Sequence, residues 1–251
     1  MINYLSPPSE YSMADEWYEY ATIDHFWMKW RFNVIKKIIP SRYGWGNTLD
    51  IGSGNGVARS QIEEYYNCSV AACDLNKHAL ENMPKGRGNL YFYNIHQRNA
   101  EFREYFQTVL LLDVLEHIKD PVSFLKSVNF HMKSGGKVII NLPAFNFMYS
   151  RYDRVAGHIK RYTIAGLRKE LELAGFKLER AVYWGASLVP FLLARKYIML
   201  FCKGNARTIK CGFQPVFPFV NDIFLAIMRF ENTVISHPFI GSSLLAVARK
   251  T

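Results

Sequence analysis

A glycine-rich turn between an apolar strand and a helix sets the strongest limit on the fold of this chain. The strand predicted at 47–52 runs straight into the sequence GSGNG, and helical spacing of apolar residues begins directly after it. Glycine adopts the positive φ angles that a tight turn needs, and it lets a ligand approach the amides at the helix N-terminus. The junction therefore predicts a strand–turn–helix unit that binds a ligand at its turn.

The spacing of these glycines separates two kinds of nucleotide-binding turn. Loops that bind nicotinamide cofactors follow GxGxxG, whereas Val57 occupies the position of their third glycine here. The run instead reads Asp-x-Gly-x-Gly-x-Gly from Asp50 to Gly56. This spacing argues against a nicotinamide-dependent oxidoreductase, which we keep as an alternative. A glycine triplet alone is weak evidence, because any such turn can use glycine.

Further apolar runs alternate with helical segments along the chain. After a helix at 22–39 we predict seven strands, at 47–52, 69–75, 90–95, 108–114, 136–143, 176–184 and 243–250. The helices between them are predicted at 55–66, 77–83, 98–105, 120–133 and 163–174. Strands that alternate with helices in this way indicate a doubly wound α/β fold around a mostly parallel sheet.

An acidic residue closes the second predicted strand, in the sequence Cys73-Asp74-Leu75. At that position a carboxylate faces the same crevice as the glycine turn and can accept hydrogen bonds from both hydroxyls of a ribose. The alternatives are a solvated carboxylate at a strand end or the N-cap of the next helix. After the preceding glycine turn, we favour the ribose.

Three motifs in this order resemble the class I S-adenosylmethionine-dependent methyltransferases: TLDIGSGNG, CDL and LLLDVLEHI. The resemblance covers roughly 45–185 and implies a Rossmann-like sheet of seven strands whose last strand is antiparallel. We accordingly divide the chain into an N-terminal helical cap, a cofactor-binding core, an apolar basic helical insertion and a final core strand. These parts correspond to 1–44, 45–185, 186–242 and 243–251.

The resemblance also implies a cofactor, S-adenosylmethionine, and a set of residues that bind it. Asp50, Gly52 and Gly54 would hold its methionine end and Asp74 its ribose, while Asn94 stands near the adenine, where many members have an acid. The predicted cofactor site comprises Asp50, Gly52, Ser53, Gly54, Asp74, Leu75, Asn94 and Asp113.

The end of the fourth strand allows three interpretations. Asp113 could touch the methionine amino group while His117 acts as a general base. Alternatively, Glu116 and His117 only cap the next helix. A third option is a divalent metal, since Asp113-x-x-Glu116-His117 is similar to the Glu-x-x-Glu-His site of some ubiquinone-pathway O-methyltransferases and small-RNA end methyltransferases. Because many relatives have this string without a known metal, we predict none.

The loop after the fifth strand, SRYDRVAGHIKRYT, is rich in hydrogen-bond donors. It resembles the Asp-x-x-x-Gly-His-x-x-Arg-Tyr loop of bacterial methyltransferases associated with surface-glycan and lipid biosynthesis. We predict that His158, ahead of His117, deprotonates an acceptor hydroxyl. A lid held by an Asp153–Arg161 pair, with a purely structural histidine, is the alternative.

Part of the N-terminal region resembles the same subgroup, through His25-Phe26-Trp27 and Arg31. Together with the loop it completes the predicted acceptor contacts, which are His25, Trp27, Arg31, Tyr152, Arg161 and Tyr162.

The charge of the chain favours an anionic partner. Its formal net charge is +10, and the segment 187–221 contains five basic residues and no acidic one. A basic apolar segment with aromatic residues can lie in a membrane interface, form a dimer face or roof a pocket. We leave these uses, and the oligomeric state, open.

Together these features predict O-methylation of a small-molecule, glycan or lipid-linked acceptor, with an anionic acceptor as one option. An RNA methyltransferase is the alternative that the charge favours, but no RNA-binding module or Asn/Asp-Pro-Pro-Tyr motif is visible, so nucleic acid is disfavoured. A non-catalytic scaffold is a further alternative. Four cysteines at unrelated spacings, no signal peptide and no membrane-spanning stretch predict a cytoplasmic protein, with peripheral membrane contact as an option.

Overall fold

The predicted strands assemble into one sheet in the computed structural model, which describes residues 1–7, 21–199, 208, 218–234 and 238–251. The described strands are β1 (Ile2–Tyr4), β2 (Thr48–Ile51), β3 (Val70–Asp74), β4 (Leu90–Phe92), β5 (Phe106–Leu112), β6 (Met132–Pro143), β7 (Phe176–Trp184) and β8 (Ser243–Lys250). Their order across the sheet is β1-β4-β3-β2-β5-β6-β8-β7. All neighbours are parallel except β8, which is antiparallel to β6 and β7.

This topology confirms the predicted doubly wound fold and its antiparallel last strand, but seven strands is one too few. The additional strand, β1, pairs in parallel with β4 through Ile2 and Leu90 and lies within the predicted helical cap. A three-residue strand is too short for a repeating apolar pattern, so the sequence did not indicate it.

The described helices pack on both sides of the sheet. They are α1 (Phe26–Ile38), α2 (Val57–Tyr66), α3 (Lys77–Glu81), α4 (Pro121–His131), α5 (Arg151–Val155), α6 (Ile164–Leu173), α7 (Val189–Ile198) and α8 (Pro218–Val234). The helix predicted at 98–105 is wrong, because two short 3₁₀ turns occupy 95–97 and 100–102. Asn94 and Asn99 begin these turns by accepting hydrogen bonds from nearby backbone amides, which favours turns over a continuous helix.

The two faces of the sheet bury separate apolar cores. Strand β5 shows the alternation, since Val109 and Leu111 face one core while Leu110 and Leu112 face the other. The first core is covered by α4 and α6, and the second by α1, α2 and α8. Burial on both faces explains why the central strands are almost continuously apolar.

The strand order also determines where a ligand can bind. From β2 the chain builds β3 and β4 on one side and then returns to build β5 and β6 on the other. The loops that follow the neighbouring strands β2 and β5 run in opposite directions at this reversal and open a crevice at the carboxyl ends of the strands.

Of the predicted insertion at 186–242, the structure describes α7, α8 and short flanking segments. The stretch that holds Cys202, Lys203, Arg207, Lys210 and Cys211 lies outside the described residues. None of the described helices is both long and apolar enough to cross a membrane.

Candidate active site

A cavity of about 350 Å³ opens at the carboxyl ends of β2 to β6. Helices α1 and α7 supply further walls. Fourteen of the predicted site residues line it: Trp27, Arg31, Asp50, Gly52, Ser53, Gly54, Asp74, Leu75, Asn94, Asp113, His117, Tyr152, His158 and Arg161. They come from six separate stretches of sequence, and the fold brings them together at one edge of the sheet.

The glycine turn has the backbone geometry that its sequence predicted. Gly52, Gly54 and Gly56 all adopt positive φ angles, of 70°, 53° and 77°. A Cβ at residue 52 would come within 2.7 Å of a methyl group of Val114. A larger residue at this position would therefore be strained in its backbone and would also clash with the loop after β5.

Asp74 connects the glycine turn to the end of β3. One carboxylate oxygen accepts a hydrogen bond from Gly54 N at 2.7 Å, and the other accepts from Asn76 N at 2.8 Å. Burial raises the pKa of Asp74, while these hydrogen bonds lower it. Each oxygen has a further lone pair with which it could accept a bond from a ligand hydroxyl.

Two buried side chains of opposite charge, both lining the cavity, each have a polar atom that lacks a hydrogen-bond partner among the described residues. Asp50 Oδ2 and Arg31 Nε have no hydrogen-bond partner among the described residues, although both side chains are almost fully buried. Burial raises the pKa of Asp50 to about 7, even though the charge of Arg31 lowers it. Such unsatisfied groups are costly unless a ligand supplies the missing bonds.

Asp113, unlike Asp50, has partners on both carboxylate oxygens. Arg31 Nη1 donates to Oδ2 at 2.6 Å, and Asn141 Nδ2 donates to Oδ1 at 2.7 Å. Each carboxylate oxygen keeps a further lone pair, so the predicted contact of Asp113 with an amino group stays a prediction. Arg31 pairs with Asp113 and also lines the cavity, so its predicted contact with the acceptor stays a prediction as well.

A histidine–aspartate pair lies in the loop after β6. His158 Nδ1 is 3.0 Å from Asp153 Oδ1, and Arg161 Nε donates to the same oxygen at 2.7 Å. Ser150 donates to the other oxygen through its backbone amide and hydroxyl. Burial alone would raise the pKa of Asp153, but the bonds from His158 and Arg161 and the arginine charge hold it well below its usual range. The ionised Asp153 accepts a hydrogen bond from the Nδ1–H group of His158, which leaves Nε2 as the ring nitrogen that can accept a proton.

His117 and Glu116 lie beside this pair. The His117 ring is 4.9 Å from the His158 ring, and His117 Nδ1 is 3.2 Å from the Gly157 carbonyl oxygen. Burial lowers the pKa of His117 to about 3, so it is a weak base. Burial and the Asp113 charge raise the pKa of Glu116 well above its usual value. Neither carboxyl oxygen of Glu116 has a hydrogen-bond partner among the described residues.

The candidate metal ligands that cluster in the structure differ from the set considered from the sequence. Asp113 does not join Glu116 and His117, whereas His158 does, and ligand atoms of these three residues lie within 4.8 Å of one another. The set Asp113–Glu116–His117 is therefore wrong as a cluster. The prediction that no metal binds stays a prediction.

Two predicted acceptor contacts do not line the cavity. His25 lies at the N-terminus of α1, where its Nδ1 accepts a hydrogen bond from Trp27 N. Tyr162 packs in the core, and its hydroxyl donates to the Leu115 carbonyl oxygen. Both residues are close in sequence to residues that line the cavity. The sequence could not show that helix capping by His25 and core packing of Tyr162 direct these side chains away from the cavity.

Arg195 of α7 is a lining residue that the sequence did not identify as one. Its guanidinium carbon lies 4.7 Å from the centre of the Tyr152 ring, a cation–π arrangement. Burial lowers the pKa of Arg195, and the charge of Arg161 acts in the same direction. A pocket roof was one of the uses predicted for the segment that contains Arg195, but the sequence did not single out this side chain.

Comparisons with known proteins agree with this architecture. A family model described as a methyltransferase domain matches residues 12–181. A ubiquinone biosynthesis O-methyltransferase of Proteus mirabilis is 26% identical over 117 residues, which are 44% of this chain and 47% of that protein. The chain thus matches about half the length of this curated relative.

Solved structures share the fold at low sequence identity. A SAM-dependent methyltransferase from Archaeoglobus fulgidus is 18% identical, with a TM-score of 0.56 over 89% of this chain and 94% of that one. A phosphoethanolamine N-methyltransferase 2 from Haemonchus contortus, solved with S-adenosyl-L-methionine, is also 18% identical. Its TM-score is 0.56, over 88% of this chain and 52% of that one.

Proposed function

The chain belongs to the methyltransferase domain family, and from that premise we propose that it transfers the methyl group of S-adenosylmethionine to a hydroxyl oxygen of a small-molecule, glycan or lipid-linked acceptor. One observation carries the proposal. The same cavity is lined by Asp50 and Arg31, each with one polar atom that lacks a hydrogen-bond partner among the described residues, and by an oriented base, His158.

The residues at the sheet end of the cavity fit S-adenosylmethionine. The unsatisfied Asp50 Oδ2 suits the ammonium group of its methionine part, and the unsatisfied Arg31 Nε suits the carboxylate. Asp74 has the lone pairs to accept bonds from the ribose, and the glycine turn leaves backbone room beside it. When bound, the cofactor supplies a methyl group already activated by a sulfonium.

Because burial raises the pKa of Asp50 to about 7, binding of the cofactor should depend on pH. The ammonium group favours the ionised carboxylate, so binding releases a proton wherever free Asp50 is protonated. We expect the association constant to fall by at least about tenfold between about pH 7.5 and about pH 5.5. Calorimetry at several pH values, in buffers of different ionisation enthalpy, measures both the affinity and the released proton.

The variant Asp50→Asn supplies the control for this pH dependence. It cannot ionise, so it should bind more weakly than the native protein and show a flat affinity over the same range. A flat profile for the native protein would contradict the assignment of Asp50.

The chain's own contribution to the reaction is to orient the acceptor and take its proton. Asp153 accepts a hydrogen bond from the Nδ1–H group of His158, so Nε2 is the atom that accepts the hydroxyl proton. The ionised Asp153 then stabilises the resulting imidazolium. His117, whose pKa burial lowers to about 3, is a weaker candidate for this step.

The acceptor end of the cavity favours a ligand with a negative charge and an apolar part. Arg161 and Arg195 both line it, and Asp153 already accepts a hydrogen bond from Arg161. The charges of the two arginines act on each other, so a bound carboxylate or phosphate would be favourable. Leu188 and Leu192 add apolar walls.

An acceptor panel with isotopically labelled methyl donor tests the proposed function. We expect O-methylated products, with anionic hydroxylated acceptors that carry an apolar tail preferred over neutral analogues by at least about tenfold. Mass spectrometry of the products identifies the methylated atom. RNA belongs in the panel, and label found only on RNA or only on nitrogen would overturn the proposal.

A further inference from the structure

Helix α8 carries an exposed apolar stripe on the side that faces away from the sheet. Ile223, Phe230 and Val234 are 50%, 69% and 63% exposed, and Ala226 is exposed between them. The four positions follow the i, i+3, i+7, i+11 spacing of a single helix face. Scattered apolar residues are ordinary on protein surfaces, but a stripe over three helical turns indicates a contact surface.

The opposite face of α8 is held firmly against the rest of the protein. Met228 is buried in the core, and Asn221 Oδ1 accepts a hydrogen bond from Phe26 N at 2.8 Å. Glu231 is also buried and accepts a hydrogen bond from Gly185 N at 2.9 Å. Rotating the helix to bury its stripe would break these contacts, so the stripe is its outward face.

Helix α7 extends this surface. Phe191, Tyr197 and Ile198 are each more than half exposed, and the Phe191 ring packs edge-on against Phe224 of α8 with a centroid separation of 5.5 Å. Neighbouring helices thus both present aromatic and aliphatic side chains. We call the following residues the apolar patch: Phe191, Tyr197, Ile198, Ile223, Phe230 and Val234.

The charge of the surrounding sequence identifies the occupant of the patch. From Lys196 to Asn221 the chain contains four basic residues, Lys196, Lys203, Arg207 and Lys210, and no acidic one, while the neighbouring Arg195 lines the cavity. Anionic lipid headgroups attract such a segment, whereas a two-fold contact with a second copy would set the same basic segment against itself. We propose that the apolar patch docks on the surface of a bilayer that contains anionic lipid.

Docking would place the bilayer beside the cavity. Helix α7, which carries half of the apolar patch, also contributes Leu192 and Arg195 to the cavity lining. The helices would lie in the interface rather than cross it, in the manner of amphipathic surface helices. Docking depends on the apolar patch and its flanking charges and not on which acceptor is methylated.

Vesicle sedimentation of the full chain tests the proposal. We expect association with vesicles of phosphatidylcholine mixed with phosphatidylglycerol, little association with phosphatidylcholine alone, and weaker association as salt is raised. The double variant Ile223→Ser/Phe230→Ser should weaken binding to the mixed vesicles by at least about tenfold. Calorimetry with S-adenosylmethionine checks that each variant keeps a folded cofactor site.

Leu173→Ser is the matched control, because Leu173 is an exposed apolar residue of α6, which packs on the other face of the sheet. It should change vesicle binding by less than about twofold. Three results would overturn the proposal: no association with either vesicle, equal association of the double variant, or a dimer in light scattering that the double variant abolishes.

Discussion

His158→Ala should lower methyl transfer by at least about a hundredfold while S-adenosylmethionine still binds. The variant removes the Nε2 atom that we assign to proton removal, and it leaves Asp50, Asp74 and the glycine turn untouched. Turnover is measured on the acceptor that the panel identifies, and cofactor affinity by calorimetry. Unchanged turnover would remove His158 from the mechanism.

The neighbouring histidine provides the comparison. His117 lies 4.9 Å from His158 in the same cavity, but burial lowers its pKa to about 3. His117→Ala should therefore cost clearly less turnover than His158→Ala. Treatment with a chelator distinguishes a general base from a metal ligand, because proton transfer through the His158–Asp153 pair should continue after any metal is removed. Loss of activity on chelation, with recovery on adding a divalent metal, would instead support the cluster of Glu116, His117 and His158.

Asp74→Ala should weaken binding of S-adenosylmethionine roughly 100-fold, or about 3 kcal/mol. The substitution removes the acceptor proposed for the ribose, and it also frees Gly54 N and Asn76 N, which the carboxylate now holds. The glycine turn would then lose one of its ties to β3, while the hydrogen bonds from Gly52 N and Ser53 N to the Cys73 carbonyl oxygen remain. Calorimetric titration with S-adenosylmethionine measures the effect.

Asp120→Ala is the matched control for this prediction. Asp120 also accepts a hydrogen bond from a backbone amide, that of Ser123, where it caps α4, but it does not line the cavity. The control should lower thermal stability slightly, by about 1 kcal/mol, and leave cofactor affinity unchanged. Equal losses of affinity in the two variants would mean that Asp74 acts only through stability.

The parts of the fold that follow from local pattern were predictable. Apolar runs of strand length, helical spacing between them and glycine at the first turn led to the central strands within a few residues. Features shorter than one repeat of the apolar pattern could not be predicted. Strand β1 at Ile2–Tyr4 and the 3₁₀ turns around Asn94 and Asn99 depend on pairing with β4 and on single side-chain hydrogen bonds.

Periodicity and turn chemistry are local properties, so the sheet, the crevice at its carboxyl edge and the residue types that face it could be predicted from the sequence. The partners of those residues depend instead on packing in three dimensions. Arg31 donates a hydrogen bond to Asp113, which lies 82 positions away in the sequence. Arg195 reaches the same cavity from a helix whose sequence left a surface role and a pocket roof equally open. Charge and burial depend on neighbours brought together by packing, and those neighbours are distant in sequence.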